Sequence, residues 1–154
     1  MAITQAALTS GSNTVDAASF TTASITPTAN RLVIVDVIND HGTTATLPTL
    51  SGNGLTYVEI TNVTNSAVRR LTKCRAMGAS PTAGAITIDF GGGTQTGCAW
   101  SVYEFDGIDT SGTNGSGAVV QSATNVGTDV TTLTVTLAAF GSATNGVAAA
   151  FGHN

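Results

Sequence analysis

Short apolar runs recur along this chain, separated by Gly, Pro, Ser and Asn, which is the pattern of a sandwich or barrel made of many short strands. Candidate strands fall at 5–9, 19–26, 31–39, 55–63, 69–77, 85–90, 97–106, 118–123, 131–138 and 146–152. Turn signals lie between them: His41-Gly42, Ser51-Gly52-Asn53-Gly54, Ser80-Pro81-Thr82, Gly91-Gly92-Gly93 and the long stretch 107–117. No two runs are joined by a segment of helical period, which removes βαβ units and predicts antiparallel pairing. Arg31–Asn39 (RLVIVDVIN) is nearly all apolar, as a central strand covered on both faces would be. Gly97–Asp106 alternates: Cys98, Trp100, Val102 and Glu104 point one way, and Ala99, Ser101, Tyr103 and Phe105 the other. The expected fold is all-β, a two-sheet antiparallel sandwich, jelly-roll-like, formed by residues 1–154 as a single domain.

Composition strengthens the β reading. The polar residues are dominated by Thr, which is β-branched and suits a pleated surface. Asn-Gly pairs at 53–54, 114–115 and 145–146 supply the positive φ of tight turns. Only 9% of residues are charged, and the formal net charge is −4. An acidic balance of this kind argues against a general nucleic-acid binder, which must neutralise phosphates. No apolar run reaches the roughly 20 residues of a membrane-spanning helix. The amino-terminal stretch MAITQAALTSGSNT has no basic region ahead of an apolar one, so it does not read as a secretory signal. The expectation is synthesis in a host cytoplasm, with any exterior location reached by lysis, a non-classical route or excision from a longer protein.

Chemistry-bearing residues are sparse. Cys74 and Cys98 lie in predicted strands without a CxxC, and read as buried free thiols, with a disulfide or a reactive thiol as the alternatives. His41 sits in a His-Gly turn and His153 is penultimate, so neither pairs with a nucleophile, and there is no G-x-S-x-G elbow. Glu104 and Asp106 share a strand face about 7 Å apart, a spacing open to a glycosidase pair or to a solvated strand end. The Asp/Asn/Gly stretch from Asp106 to Gly115 resembles a Ca²⁺ loop loosely but lacks the alternating acids and closing Glu, so turn chemistry explains it as well. No catalytic residue, metal site or cofactor is expected.

The basic residues carry the clearest signal, because four of the five lie at Arg69, Arg70, Lys73 and Arg75. On a strand, Arg69, Lys73 and Arg75 share one face with Leu71, and Arg70, Thr72, Cys74 and Ala76 take the other. Three cations on one face can seat an anionic partner surface. They can equally pair across strands with the chain's own acids, Glu59 or Asp89 being the candidates.

Asn30–Val35 is echoed by Asn145–Ala150, each following a Thr-rich strand and a short loop. The echo reads either as an internal duplication or as the likeness of any two sandwich strands. A second copy as long as the first would run past Asn154, as in a processed or truncated product; an edge strand at the terminus reads equally well.

The stretches NRLVIVDVIND, RRLTKCRAM, SPTAGAITIDF and TGCAWSVYEFDGIDTSG resemble β-sandwich modules of tailed-phage virion structural proteins. That resemblance carries no site residues with it. It implies a non-enzymatic virion structural protein on the exterior of the particle, a capsid decoration (cement) protein or a tail or fibre domain. Its partners would be viral coat protein or copies of itself in a homo-oligomer. The alternative is a carbohydrate- or receptor-binding module, with Trp100, Tyr57 or Tyr103 as an exposed stacking platform.

Overall fold

The apolar run at 32–40 becomes the middle strand of a five-stranded sheet, as its two-sided hydrophobicity requires. In the computed structural model, residues 2–152 are described. The strands are β1 (Thr4–Asn13), β2 (Ser19–Thr21), β3 (Leu32–Asp40), β4 (Thr49–Gly52), β5 (Leu55–Thr56), β6 (Val58–Asn65), β7 (Arg69–Ala76), β8 (Thr87–Asp89) and β9 (Gly97–Asp106). One sheet has the order β1-β9-β3-β7-β6 and the other β2-β8-β4-β5, with antiparallel pairing throughout. The fold is an all-β, two-sheet sandwich.

Strand alternation sorts the side chains of the larger sheet. Val33, Val35 and Val37 of β3, with Cys98 and Val102 of β9, face Phe20, Ile86, Ile88 and Phe90 of the smaller sheet and its flanks, and all are buried. Phe20 and Phe90 meet edge to face at 6.0 Å. The opposite, outer face carries a second apolar cluster of Leu32, Ile34 and Tyr103, packed by Ile60, Met77, Phe105, Ile108 and Val119. β3 is therefore covered on both sides.

One end of the sandwich is closed by a polar keystone. Gln95 is fully buried; its Oε1 accepts from Asn39 Nδ2 at 2.6 Å and Thr46 N at 3.2 Å, while its Nε2 donates to Gly93 O at 2.9 Å and Thr46 Oγ1 at 3.2 Å. It ties the end of β3 to two loops whose backbone polar groups would otherwise be left without partners.

The strand expected at 55–63 is divided between β5 and β6, and β4 at Thr49–Gly52 was not anticipated. The larger correction concerns 118–123, 131–138 and 146–152, none of which is a strand. Sheet ladders need an edge, but this segment crosses the outer face of the five-stranded sheet instead. A cleft of about 510 Å³ separates the two, lined by Ile34, Leu71 and Phe105 below and Leu133, Val135 and Leu137 above. Two stretches of the segment nonetheless lie antiparallel. Gln121 Nε2 donates to Ala138 O at 3.0 Å, Ala138 N donates to Gln121 Oε1 at 2.9 Å, and Asn125 Nδ2 donates to Thr134 O at 2.7 Å. Side-chain amides thus stand where a backbone ladder would be.

Candidate functional site

The strand pairing places the basic residues of β7 directly against β3. Asp36 lies opposite Lys73 and Asp40 opposite Arg69 on the outer face. Arg69, Lys73 and Arg75 do share that face with Leu71, as the alternation requires, and each of them is engaged within the chain. Arg69 Nε donates to Asp40 Oδ1 at 2.5 Å and its Nη2 to Oδ2 at 3.0 Å, a two-point guanidinium–carboxylate pair. Lys73 Nζ lies 2.6 Å from Asp36 Oδ1 and 3.1 Å from the Tyr103 hydroxyl. Arg75 Nη1 donates to the carbonyls of Thr113 and Asn114 at 3.1 and 2.8 Å, which staples the loop after β9 onto the sheet.

The acids that meet this strand are Asp36 and Asp40, not Glu59 or Asp89. Glu59 is exposed and accepts from Asn62 Nδ2 at 2.6 Å, while Asp89 caps its own turn by accepting from Gly91 N at 2.9 Å. The fourth cation, Arg70, points to the other face, donating to Ala45 O at 3.1 Å and to Asn62 Oδ1.

Asp36, Lys73 and Tyr103 form a largely buried polar cluster. Asp36 is 5% exposed and the Tyr103 hydroxyl donates to its Oδ2. Burial, then the hydrogen bond and the charge of Asp36, drive the Tyr103 phenol far above its ordinary range, so it stays a donor. The loop stapled by Arg75 closes over the same face. Gly115 adopts φ 81, a left-handed conformation that favours glycine, and a Cβ there would come within 2.6 Å of Leu32 Cδ1.

Glu104 and Asp106 lie on one face as expected, with Arg31 bridging them at 2.8 and 3.4 Å. Glu104, only 4% exposed, also accepts from Thr28 N at 2.8 Å and Thr28 Oγ1 at 2.9 Å. Burial pushes its pKa up, but the Thr28 and Arg31 hydrogen bonds together outweigh burial and hold it below the ordinary carboxylate range. A glycosidase acid needs the reverse shift. The pair acts as a clamp joining the β3 approach to the end of β9. A carboxylate with a depressed folded pKa contributes stability above its unfolded pKa and loses it as pH falls. Stability is therefore expected to drop as the pH passes below about 4.5, and Glu104→Gln should flatten that acid limb. Urea titrations from pH 7 to pH 3 check this; equal acid slopes in both proteins would refute the clamp.

The remaining candidates have structural employment. Cys74 and Cys98 are free and buried, and burial first, with nearby acids second, pushes both thiols up to about 12, leaving the inert alternative in place. His41 Nδ1 accepts from Thr43 N and Thr44 N at 2.9 Å, capping its turn, and His153 lies outside the described residues. Asp109 Oδ1 accepts from Ser111 N at 2.8 Å in the loop weighed for Ca²⁺. No group of three metal-ligating side chains is present among the described residues. Trp100 is half-buried against the inner core and covered by Gly11, where a Cβ would lie 2.8 Å from Trp100 Cζ2. Tyr57, its phenol raised to about 12 by burial, donates to Asn53 Oδ1 at 3.1 Å.

Since the β7 cations serve internal bonds, Arg69→Gln with Arg75→Gln should cost about 1–2 kcal/mol of stability, near the upper end for two partly exposed interactions. Thermal unfolding measures it; an unchanged melting temperature would show that these internal bonds add nothing to stability.

Sequence reasoning did not match Asp36, hidden in an apolar run, to Lys73, and did not read the C-terminal segment as a surface. The signal available for the second was its alternation of Thr with Leu and Val at 132–137 in a stretch where Asp129 is the only charge. No family model, no curated protein and no solved structure matches the chain.

Proposed function

We propose that this chain is a non-enzymatic structural protein of a virion, of the capsid decoration (cement) kind, held as a homo-oligomer on the exterior of a coat lattice. The observation that carries the reading is where the exposed apolar side chains lie. Val120, Val126, Val130, Leu133, Val135, Val147 and Phe151 all belong to the segment after the sandwich, where all but Val130 line the open cleft over the outer sheet face, against Val15, Leu47 and Val68 elsewhere. Scattered exposed apolar residues are ordinary, whereas a concentration of them marks an interaction surface. The ionisable groups fit the same reading, because they staple strands and loops together. A lattice seat needs a stiff body and an adhesive surface, and the sandwich and its C-terminal segment supply one each.

The carbohydrate- or receptor-binding alternative relied on an exposed aromatic platform. Trp100, Tyr57 and Tyr103 are each packed or hydrogen-bonded within the sandwich, so no observation favours it. Mass spectrometry of gradient-purified virions tests the main reading, with stoichiometric peptides of this chain expected. Peptides found only in the soluble fraction of producing cells, and none in particles, would contradict it.

A further inference from the structure

The segment after the sandwich has the grammar of a sandwich strand without the ladder of one. Aligned through Asn30 and Asn145, the buried positions Phe20, Thr22 and Ile25 correspond to Val135, Leu137 and Phe140. The exposed Ser19, Thr21, Ala23 and Ser24 correspond to Thr134, Thr136, Ala138 and Ala139. Phe20 is 4% exposed where Val135 is 43% exposed, so a pattern suited to burial is left open.

The backbone directions say which side is open. Thr134 and Ala138 turn their carbonyls towards the 121–125 stretch. In an extended segment, Leu133, Val135 and Leu137 then present their N–H and C=O groups to the opposite edge. Among the described residues, none of these three makes a backbone hydrogen bond. An exposed edge of this kind is a template for another strand.

What fits that template is written in the sequence. Leu133-Thr134-Val135-Thr136-Leu137 reads the same in both directions. Antiparallel pairing with itself about Val135 sets Leu against Leu, Thr against Thr and Val against Val. The odd-numbered residues, whose backbone groups are open, fall at the hydrogen-bonded pairs. A two-fold interface requires such self-complementarity, and matched Thr and β-branched cross-strand pairs each add stability. Asp129 is the only charged residue from 119 to 152, so two copies meet without repulsion and a charged partner would find little to pair with.

We propose that Leu133–Leu137 pairs antiparallel with the same residues of a second copy, across a two-fold axis at Val135. The proposal rests on the structural reading for its expectation of self-association, and it names the surface. The pairing turns two hairpin-like segments into one sheet shared by two molecules and orders the 131–138 stretch as a strand.

Sedimentation velocity on the full chain and on Val135→Asp and Val135→Lys tests it, because a charge at the axis faces its own copy. Val135 is half exposed and outside both sheets, so the sandwich should persist, as circular dichroism can verify. A concentration-dependent dimer is expected for the native chain. Each variant alone should associate at least about tenfold more weakly, since like charges directly opposite are destabilising. An equimolar mixture of the two should recover the dimer. A native chain that is monomeric at every concentration would overturn the proposal. Variants that dimerise as well as the native chain would overturn this interface while leaving self-association through another surface intact. Variants that are monomeric alone and in the mixture would overturn the register. Absence of the chain from virions would count against the virion reading alone.

Discussion

Replacing Asp36 with Ala is expected to lower the unfolding free energy by about 3–5 kcal/mol, the cost of leaving a buried cation without its partner. Lys73 Nζ lies 2.6 Å from this carboxylate, and the Tyr103 hydroxyl donates to it as well, so the truncation strands two groups at once. Removing both charges together makes a different forecast. Asp36→Leu with Lys73→Met should restore only the part owed to the unpaired cation, because desolvating a buried pair costs about as much as the pair returns, while the Tyr103 hydroxyl still lacks its acceptor. Urea unfolding of the three proteins decides the matter. A loss below about 1 kcal/mol for Asp36→Ala would mean that Lys73 reaches solvent instead, and the outer face would then be far more open than described.

Gln95→Ala should cost about 2–4 kcal/mol, combining a small cavity with buried polar groups left unsatisfied. Thr46 N–H loses its acceptor, and Asn39 Nδ2 retains only Thr46 O, at 3.0 Å. Gln95→Glu should be no milder, since it removes the donor to Gly93 O and buries a charge. Hydrogen exchange would locate the damage at residues 43–47 and 91–96, the loops that Gln95 joins. A stability change within about 0.5 kcal/mol would show that these loops are held by something else.

The strands that were legible in the sequence were those with a face to declare. β3 announced its central place because both faces are buried and its apolar run is therefore unbroken. β9 announced its two faces by alternation, which put Glu104 with Trp100 and Tyr103 with Phe105. Alternation also placed Arg69, Lys73 and Arg75 on one side of β7. It could not say which acids they meet, because that depends on strand order. Only the insertion of β3 between β7 and β9 brings Asp36 and Asp40 opposite Lys73 and Arg69. Gln95 was invisible for a similar reason: a polar residue in a Gly-rich loop reads as solvated, and its burial follows from where two distant loops converge.

The C-terminal segment failed as a prediction for a physical reason that then became informative. Thr-Leu-Thr-Val-Thr-Leu has the propensity and the period of a strand, but a strand is completed by a partner. Laid across a sheet face, 131–138 keeps the pattern and lacks the ladder. The same five residues that misled the assignment of secondary structure are the ones whose two-fold symmetry points to a second copy.

Hydrogen–deuterium exchange across 119–152, at dilutions below and concentrations above self-association, decides whether this segment is the assembly surface. The amides of Leu133, Val135 and Leu137 should exchange rapidly in the dilute chain and become protected on association, while β3 and β9 remain protected in both states. Association with no gain of protection in 131–138, or protection there equal to that of β3 in the dilute chain, would contradict it.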